Sequence, residues 1–296
     1  MANLFCLLLI RIRNRLHIKS SGTSFHVNSH NVVFSLVNVN FFGYNKPMKK
    51  IFFLCLALVV GACAYHNPLE DFRWEPRPVS PYLMPSWHYI RAYGQPIRIY
   101  IEGDVDSADE HGNPTQNPTP KTDFWRKVAA GDPGQNLAYI GQPCQFVQMG
   151  CSQKDWGSAR FSKQAVNGVA QAVLALMRKA GTNQAVLIGY AGGAQLAGLV
   201  AMEYPDKISE VITVAGIWDY QEWAKYNQIT DFHDSADLTQ WRKKRNKLSQ
   251  LHFVGEKDTV VPPELAKTWA NDVVVVKGAT HTKGYDKILS RVYGGK

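Results

Sequence analysis

The stretch Ala185-Val186-Leu187-Ile188-Gly189-Tyr190-Ala191-Gly192-Gly193-Ala194-Gln195-Leu196-Ala197-Gly198-Leu199-Val200-Ala201-Met202 decides the fold. Ala185–Ile188 is a short apolar run bounded by glycine, which reads as a buried strand. Ala194–Met202 is rich in small and apolar residues and reads as a closely packed helix. Between them lies the tight turn Gly189-Tyr190-Ala191-Gly192-Gly193. A turn of this kind needs small residues, because its middle residue is held in an unusual backbone conformation and the helix passes close to the strand. Two other readings stand beside this one. A glycine-rich turn between strand and helix can cradle a phosphate, but the stretch has neither G-x-G-x-x-G nor Gly-Lys-Ser/Thr. It could also be a plain tight turn in another kind of α/β protein.

Working outward, more apolar runs alternate with helical stretches. Trp87–Tyr93 and Pro96–Glu102 read as two strands joined by a tight turn at Gly94-Gln95. Leu137–Ile140, Val211–Ala215, Leu251–Gly255 and Asp272–Lys277 read as further strands. Val166, Val169, Ala170, Val173, Leu174 and Met177 recur at spacings of three and four, which predicts a long helix over Arg160–Ala180. Continuous apolar strands alternating with helices predict an α/β fold: a mostly parallel central sheet of about eight strands with helices on both faces. A structure in which 186–188, 211–215 and 273–276 do not share one parallel sheet would refute this. Residues 217–249 form a longer excursion carrying Trp218, Trp223, Tyr226, Phe232 and Trp241, which either line a ligand pocket or cap the sheet.

The first 62 residues stand apart. Met48-Lys49-Lys50 followed by the apolar run Ile51–Val60 reads as a secretory signal peptide over 48–62. The run is too short to span a bilayer, which takes about 20 residues. It ends in Val60-Gly61-Ala62-Cys63, which resembles a bacterial lipobox. That resemblance implies cleavage before Cys63 and a lipid on its sulfur, hence an exported protein anchored to an envelope membrane. Residues 1–47 precede a complete signal and are expected to be an upstream segment assigned in error, with Met48 the true start. Residues 63–86, rich in proline and aromatics, read as a tether from the lipid that then lies against the domain, and 87–296 as the domain.

The formal net charge of +9 is a leader effect. Residues 1–62 carry seven basic residues and no acid, so the remainder holds only +2. No basic patch with interleaved aromatics follows, and no nucleic-acid partner is expected. Of the five cysteines, Cys144 and Cys151 remain as one pair beyond Cys63. In an oxidising compartment they are expected to form a disulfide, although two separately buried thiols fit the sequence too. No nearby histidine completes a zinc set, and neither metal nor cofactor is expected.

Parallel sheets present ligands at the carboxyl ends of their strands. Three strand ends are informative. The central one carries Ala191. Leu251–Gly255 runs into Glu256-Lys257-Asp258-Thr259-Val260-Val261-Pro262, and the last strand runs into Gly278-Ala279-Thr280-His281. The order Ala191, Asp258, His281 is that of nucleophile, acid and base in the G-x-S-x-G hydrolases. Taken singly, Asp258 reads as a turn residue and His281 as a loop histidine, and Asp219 is a rival acid. Together, the three motifs resemble those of the bacterial α/β-hydrolases over roughly 87–293. Ile101-Glu102-Gly103-Asp104, Cys144-Gln145-Phe146, Trp156 and Arg160-Phe161-Ser162 resemble a secreted subgroup of that family.

The resemblance implies an acyl or ester hydrolase acting on a small molecule. His281 would serve as general base and Asp258 would orient it. The backbone N–H groups of Gly192 and Gly103 would form the oxyanion hole. Asp104, Tyr190 and Trp218 would touch substrate; Asp104 and Arg160 either form an ion pair that fixes the loop near the oxyanion site or are simple surface charges. At position 191 the chain departs from the family, because a methyl group cannot attack a carbonyl. Ser158 and Ser162 are hydroxyls that could substitute, but neither sits at the turn. The replacement is either engineered or natural. In the second case the chain is a degenerate hydrolase or a non-catalytic ligand-binding protein on the same scaffold. If only the hydroxyl is missing, Ala191→Ser alone is expected to create ester hydrolysis.

Overall fold

The computed structural model describes residues 68–109, 113–229, 234–241, 243, 247–285 and 288, all within the compact unit Pro68–Lys296. The stretches read from the sequence as an upstream segment and a signal peptide, together with Cys63 and Phe232, lie outside the described residues.

Ten strands form. Eight make one sheet: β1 (Arg73–Trp74), β4 (Ser86–Ile90), β6 (Asn136–Ile140), β5 (Ile97–Ile101), β7 (Ala185–Tyr190), β8 (Ile208–Val214), β9 (Gln250–Gly255) and β10 (Val273–Val276), in that spatial order. The pairs from β6 to β10 are parallel, whereas β4 runs antiparallel to β1 and β6. β2 (Arg77–Val79) and β3 (Tyr82–Met84) form a separate two-stranded ribbon. The expected parallel sheet of about eight strands is therefore present, and β7, β8 and β10 share it.

Among the described residues, five α-helices accompany the strands: α1 (Phe124–Ala130), α2 (Lys163–Ala180), α3 (Gly192–Glu203), α4 (Tyr220–Tyr226) and α5 (Pro263–Trp269). The start of α2 is set by Ser162, whose Oγ accepts a hydrogen bond from Ala165 N–H at 3.2 Å; the helix ends at Gly181, φ 69°. The apolar side chains divide by face. Leu187 of β7 packs with α2 and α3 on one side of the sheet, while Ile188 and Tyr190 pack with Trp125 and Val128 of α1 on the other. That division follows from the two-residue period of a strand.

β4 and β5 are the two strands joined by a short turn that the sequence predicts, and they do not pair with each other, because β6 lies between them. The turn is closed over β6 by Asn136 at the start of that strand. Its amide nitrogen donates to the carbonyls of Ala92 (2.6 Å) and Gln95 (3.0 Å), and its Oδ1 accepts from the N–H groups of Arg91 (3.2 Å) and Ala92 (3.0 Å). One side chain thus satisfies the backbone groups that a hairpin partner would have taken. Part of the stretch read as a tether lying against the domain takes part in the fold. β1 extends the sheet, and Tyr82 and Met84 are buried against α2.

Candidate functional site

β7 leads into α3 through a sharp turn at Ala191, whose backbone lies at φ 47°, ψ −121°. A residue with a Cβ is strained there. The turn is held by hydrogen bonds on both sides. Ala191 N–H donates to Val214 O at 3.1 Å, and Ala191 O accepts from Ile217 N–H at 3.0 Å. At Gly189 a side chain is excluded, since an added Cβ would lie 2.5 Å from the Cα of Ala194 in the passing helix. The strained elbow is therefore built, with a methyl group at its tip.

The base side comes from the ends of β9 and β10. His281 Nδ1 lies 3.0 Å from Asp258 Oδ2 and 3.2 Å from Oδ1. With an ionised Asp258, Nδ1–H is the donor and the lone pair is left on Nε2. Asp258 Oδ1 also accepts from the N–H groups of Val260 (2.9 Å) and Val261 (2.8 Å), and its side chain is fully buried. The two loops are tied together, as Lys257 N–H donates to Ala279 O at 2.8 Å and Gly278 N–H to Glu256 Oε2 at 2.8 Å. The Tyr190 hydroxyl donates to His281 O at 3.2 Å and links this side to the elbow. The rival acid, Asp219, instead caps α4 by accepting from Glu222 N–H at 3.3 Å. Ser162 is likewise committed to capping α2.

The oxyanion side departs from the sequence expectation. Gly192 N–H donates to Asp104 Oδ1 at 2.9 Å, and Gly103 N–H donates to Glu102 Oε1 at 2.8 Å. Both expected oxyanion donors are thus engaged by carboxylates. Asp104 Oδ2 pairs with Arg160 Nη1 at 2.8 Å, the two side chains being 9% and 8% exposed. They are therefore a buried ion pair and not surface charges. Glu102 is completely buried, and its other oxygen accepts from the Tyr139 hydroxyl. Burial pushes its pKa up to about 7, against the opposing pull of the Tyr139 and Gly103 hydrogen bonds.

Two glutamines that the sequence reading did not single out as site residues hold the loop after β5. Gln142 Nε2 donates to Glu102 O at 2.9 Å, and Gln145 Nε2 donates to Gly103 O at 2.7 Å. Cys144 and Cys151 are disulfide-bonded across a Cα–Cα distance of 5.8 Å, which closes the loop that carries Gln145. Three motifs far apart in sequence, around Glu102, Gln145 and Arg160, therefore meet at one short loop. Their proximity in space could not be read from their spacing in the chain.

Tyr190 and Trp218, expected to touch substrate, are 1% and 0% exposed. Tyr190 stacks on Trp125 with centroids 5.2 Å apart, and Trp218 meets the His252 ring edge-on at 4.9 Å. Both are wall and core residues with no free surface for a ligand. Tyr220 and Trp223 are also buried, so the inner aromatics of the 217–241 excursion cap the sheet. Among the described residues, no group of three or more His, Cys, Asp or Glu side chains is placed to hold a metal ion, and no helix is long and apolar enough to cross a membrane.

No protein-family profile and no curated protein matches the chain. Solved structures do. An α/β serine hydrolase homologue from Coxiella burnetii superposes with a TM-score of 0.50 at 16% identity, covering 75% of this chain and 97% of its own. Est1E from Butyrivibrio proteoclasticus gives 0.50 at 12% identity, covering 75% and 95%. Strand order, elbow and these likenesses agree: the chain has the α/β-hydrolase fold.

Proposed function

We propose that this protein is a non-catalytic derivative of an acyl hydrolase that retains a ligand site over the elbow. The observation that carries the reading is Ala191, which stands in the strained elbow geometry while the Asp258–His281 pair is hydrogen-bonded beside it. A histidine base has no proton to take from a methyl group. Loss of a triad nucleophile typically costs on the order of 10⁶ in rate. A small acyl or ester-like molecule is the ligand class that suits the scaffold.

The test is turnover of a panel of nitrophenyl esters, together with labelling by a fluorophosphonate probe. We expect rates equal to those of a His281→Ala variant and no covalent adduct by mass. Turnover that depends on His281, or an adduct on the unmodified protein, would overturn the reading. We further propose that the protein is exported and anchored through a lipid on Cys63. The Cys144–Cys151 disulfide suits such a compartment. Incorporation of labelled fatty acid in a bacterial host, abolished by Cys63→Ser, is the expected result. Equal incorporation in both would refute the anchor.

A further inference from the structure

The Ala191 substitution explains why there is no nucleophile. It does not explain what occupies the place where an oxyanion would sit. Asp104 Oδ1 lies 2.9 Å from Gly192 N–H, the first amide of α3. In this fold that amide is the donor that meets the negative oxygen formed during acyl transfer. It also stands at the positive end of a 12-residue helix. Gly192 leaves room for the carboxylate, since a Cβ there would lie 2.5 Å from the Asp104 carboxyl carbon and both its oxygens.

The second oxygen of Asp104 is held by Arg160, which is buried and also donates from Nε to Gly157 O at 3.2 Å. The loop that carries Asp104 is pinned on its other groups. Asp104 O accepts from Ser107 N–H at 3.0 Å and from Ser107 Oγ at 2.6 Å, and Gln145 holds the preceding carbonyl. The carboxylate is therefore a fixed occupant. It presents a negative charge where catalysis requires an empty, positive niche.

We infer that Asp104 is a built-in plug of the oxyanion site, and that this chain carries a second lesion in acyl transfer independent of Ala191. The inference rests on the non-catalytic reading above and adds to it. It changes the expectation drawn from the sequence: Ala191→Ser alone will not create an efficient esterase. The introduced Oγ could pass its proton to His281 Nε2 and attack the ester carbonyl. The tetrahedral oxygen formed would then face a carboxylate and find its amide already taken. Removing the plug should release Gly192 N–H and leave Arg160 as a second positive group.

The experiment compares the parent, Ala191→Ser, Asp104→Ala and Ala191→Ser/Asp104→Ala on nitrophenyl acetate. Loss of one oxyanion donor typically costs about 10²–10³ in kcat. The double variant is therefore expected to exceed Ala191→Ser by at least about 100-fold, and to lose that gain when His281→Ala is added. Formate, a carboxylate small enough to replace the Asp104 group, should raise the Tm of both Asp104→Ala proteins and inhibit the double variant. It should do neither to Ala191→Ser. A folded double variant no faster than Ala191→Ser would overturn the inference.

Ala191→Ser by itself provides a readout that needs no change at Asp104, because phosphonylation also builds charge in the oxyanion site. The inference expects labelling by fluorophosphonate only slightly above the parent. Rapid labelling of Ala191→Ser would overturn it even if the double variant failed to fold. The two readings fail separately: activity in the parent sinks the non-catalytic reading, and efficient chemistry in Ala191→Ser sinks the plug.

Discussion

The two sides of the elbow differ in kind. On the base side, Asp258 and His281 keep the hydrogen-bonded arrangement that general-base chemistry needs, and little else depends on it. Asp258 Oδ1 keeps the N–H groups of Val260 and Val261 even without the imidazole, which is bonded at Oδ2. On the oxyanion side, Asp104, Arg160, Glu102 and Tyr139 form a buried polar network bonded into the backbone of the loop and of α3. The oxyanion side is the more heavily bonded into the fold, and the catalytic appearance resides in the base side. A site judged only by its acid–base pair would be read as active.

This contrast can be broken or sharpened by measurement. The largest effect is expected from Arg160→Met, which leaves Asp104 buried without its ionic partner. Removing one member of a buried pair costs about 3–5 kcal/mol, read as a lower urea midpoint at unchanged m-value. A loss under about 1 kcal/mol, the usual worth of an exposed pair, would mean that the oxyanion side is not a structural network.

Glu102→Gln tests the same network through pH. The ordinary carboxyl value is 4.5, and in the folded protein it is raised to about 7. The folded state therefore holds the proton that the unfolded chain releases first. This contribution is fully present below pH 4.5 and is lost as the pH rises to about 7. At 1.36 kcal/mol per pKa unit it amounts to about 3 kcal/mol. The neutral amide has no such slope. The variant should gain on the parent above pH 7 and lose that advantage at or below pH 4.5. A gap that does not change with pH would contradict the buried, proton-holding carboxyl.

Ala191→Gly should raise stability by about 1 kcal/mol, since glycine relieves a left-handed strain of about 1–3 kcal/mol and returns part of it as chain entropy. A loss of stability would show that the methyl group packs well enough to outweigh the strain. The smallest effect belongs to the base side. His281→Ala should cost under about 1 kcal/mol, because Asp258 Oδ1 keeps two backbone donors and removal of the 13% exposed ring opens Oδ2 to water. A larger cost would make the imidazole part of the framework and erase the contrast.

Much of this was legible in the chain. The strand–turn–helix around Ala191 follows from an apolar run, four small turn residues and an alanine-rich helix. Such local signals survive without knowledge of neighbours. The same holds for β7 to β10, for α2, and for the pairing of Asp258 with His281, because strand ends of a parallel sheet lie along one edge. The short helices α1, α4 and α5, each of seven residues, left no clear period.

What the sequence could not disclose depends on contacts across long chain distances. Asn136 closing the turn at 91–96 is a matter of one side chain meeting backbone 41–45 positions away. The burial of Trp218 and Tyr190 follows from which face of the sheet each occupies. The state of the oxyanion site is the clearest case. Gly192, Asp104 and Arg160 are plain in the sequence, yet only the tertiary structure decides whether a carboxylate pairs with an amide or leaves it open. Residue type determined the missing nucleophile, because a methyl group lacks an oxygen wherever it sits. The three-dimensional arrangement determined the filled oxyanion site, because hydrogen bonding depends on distances that the linear chain does not contain.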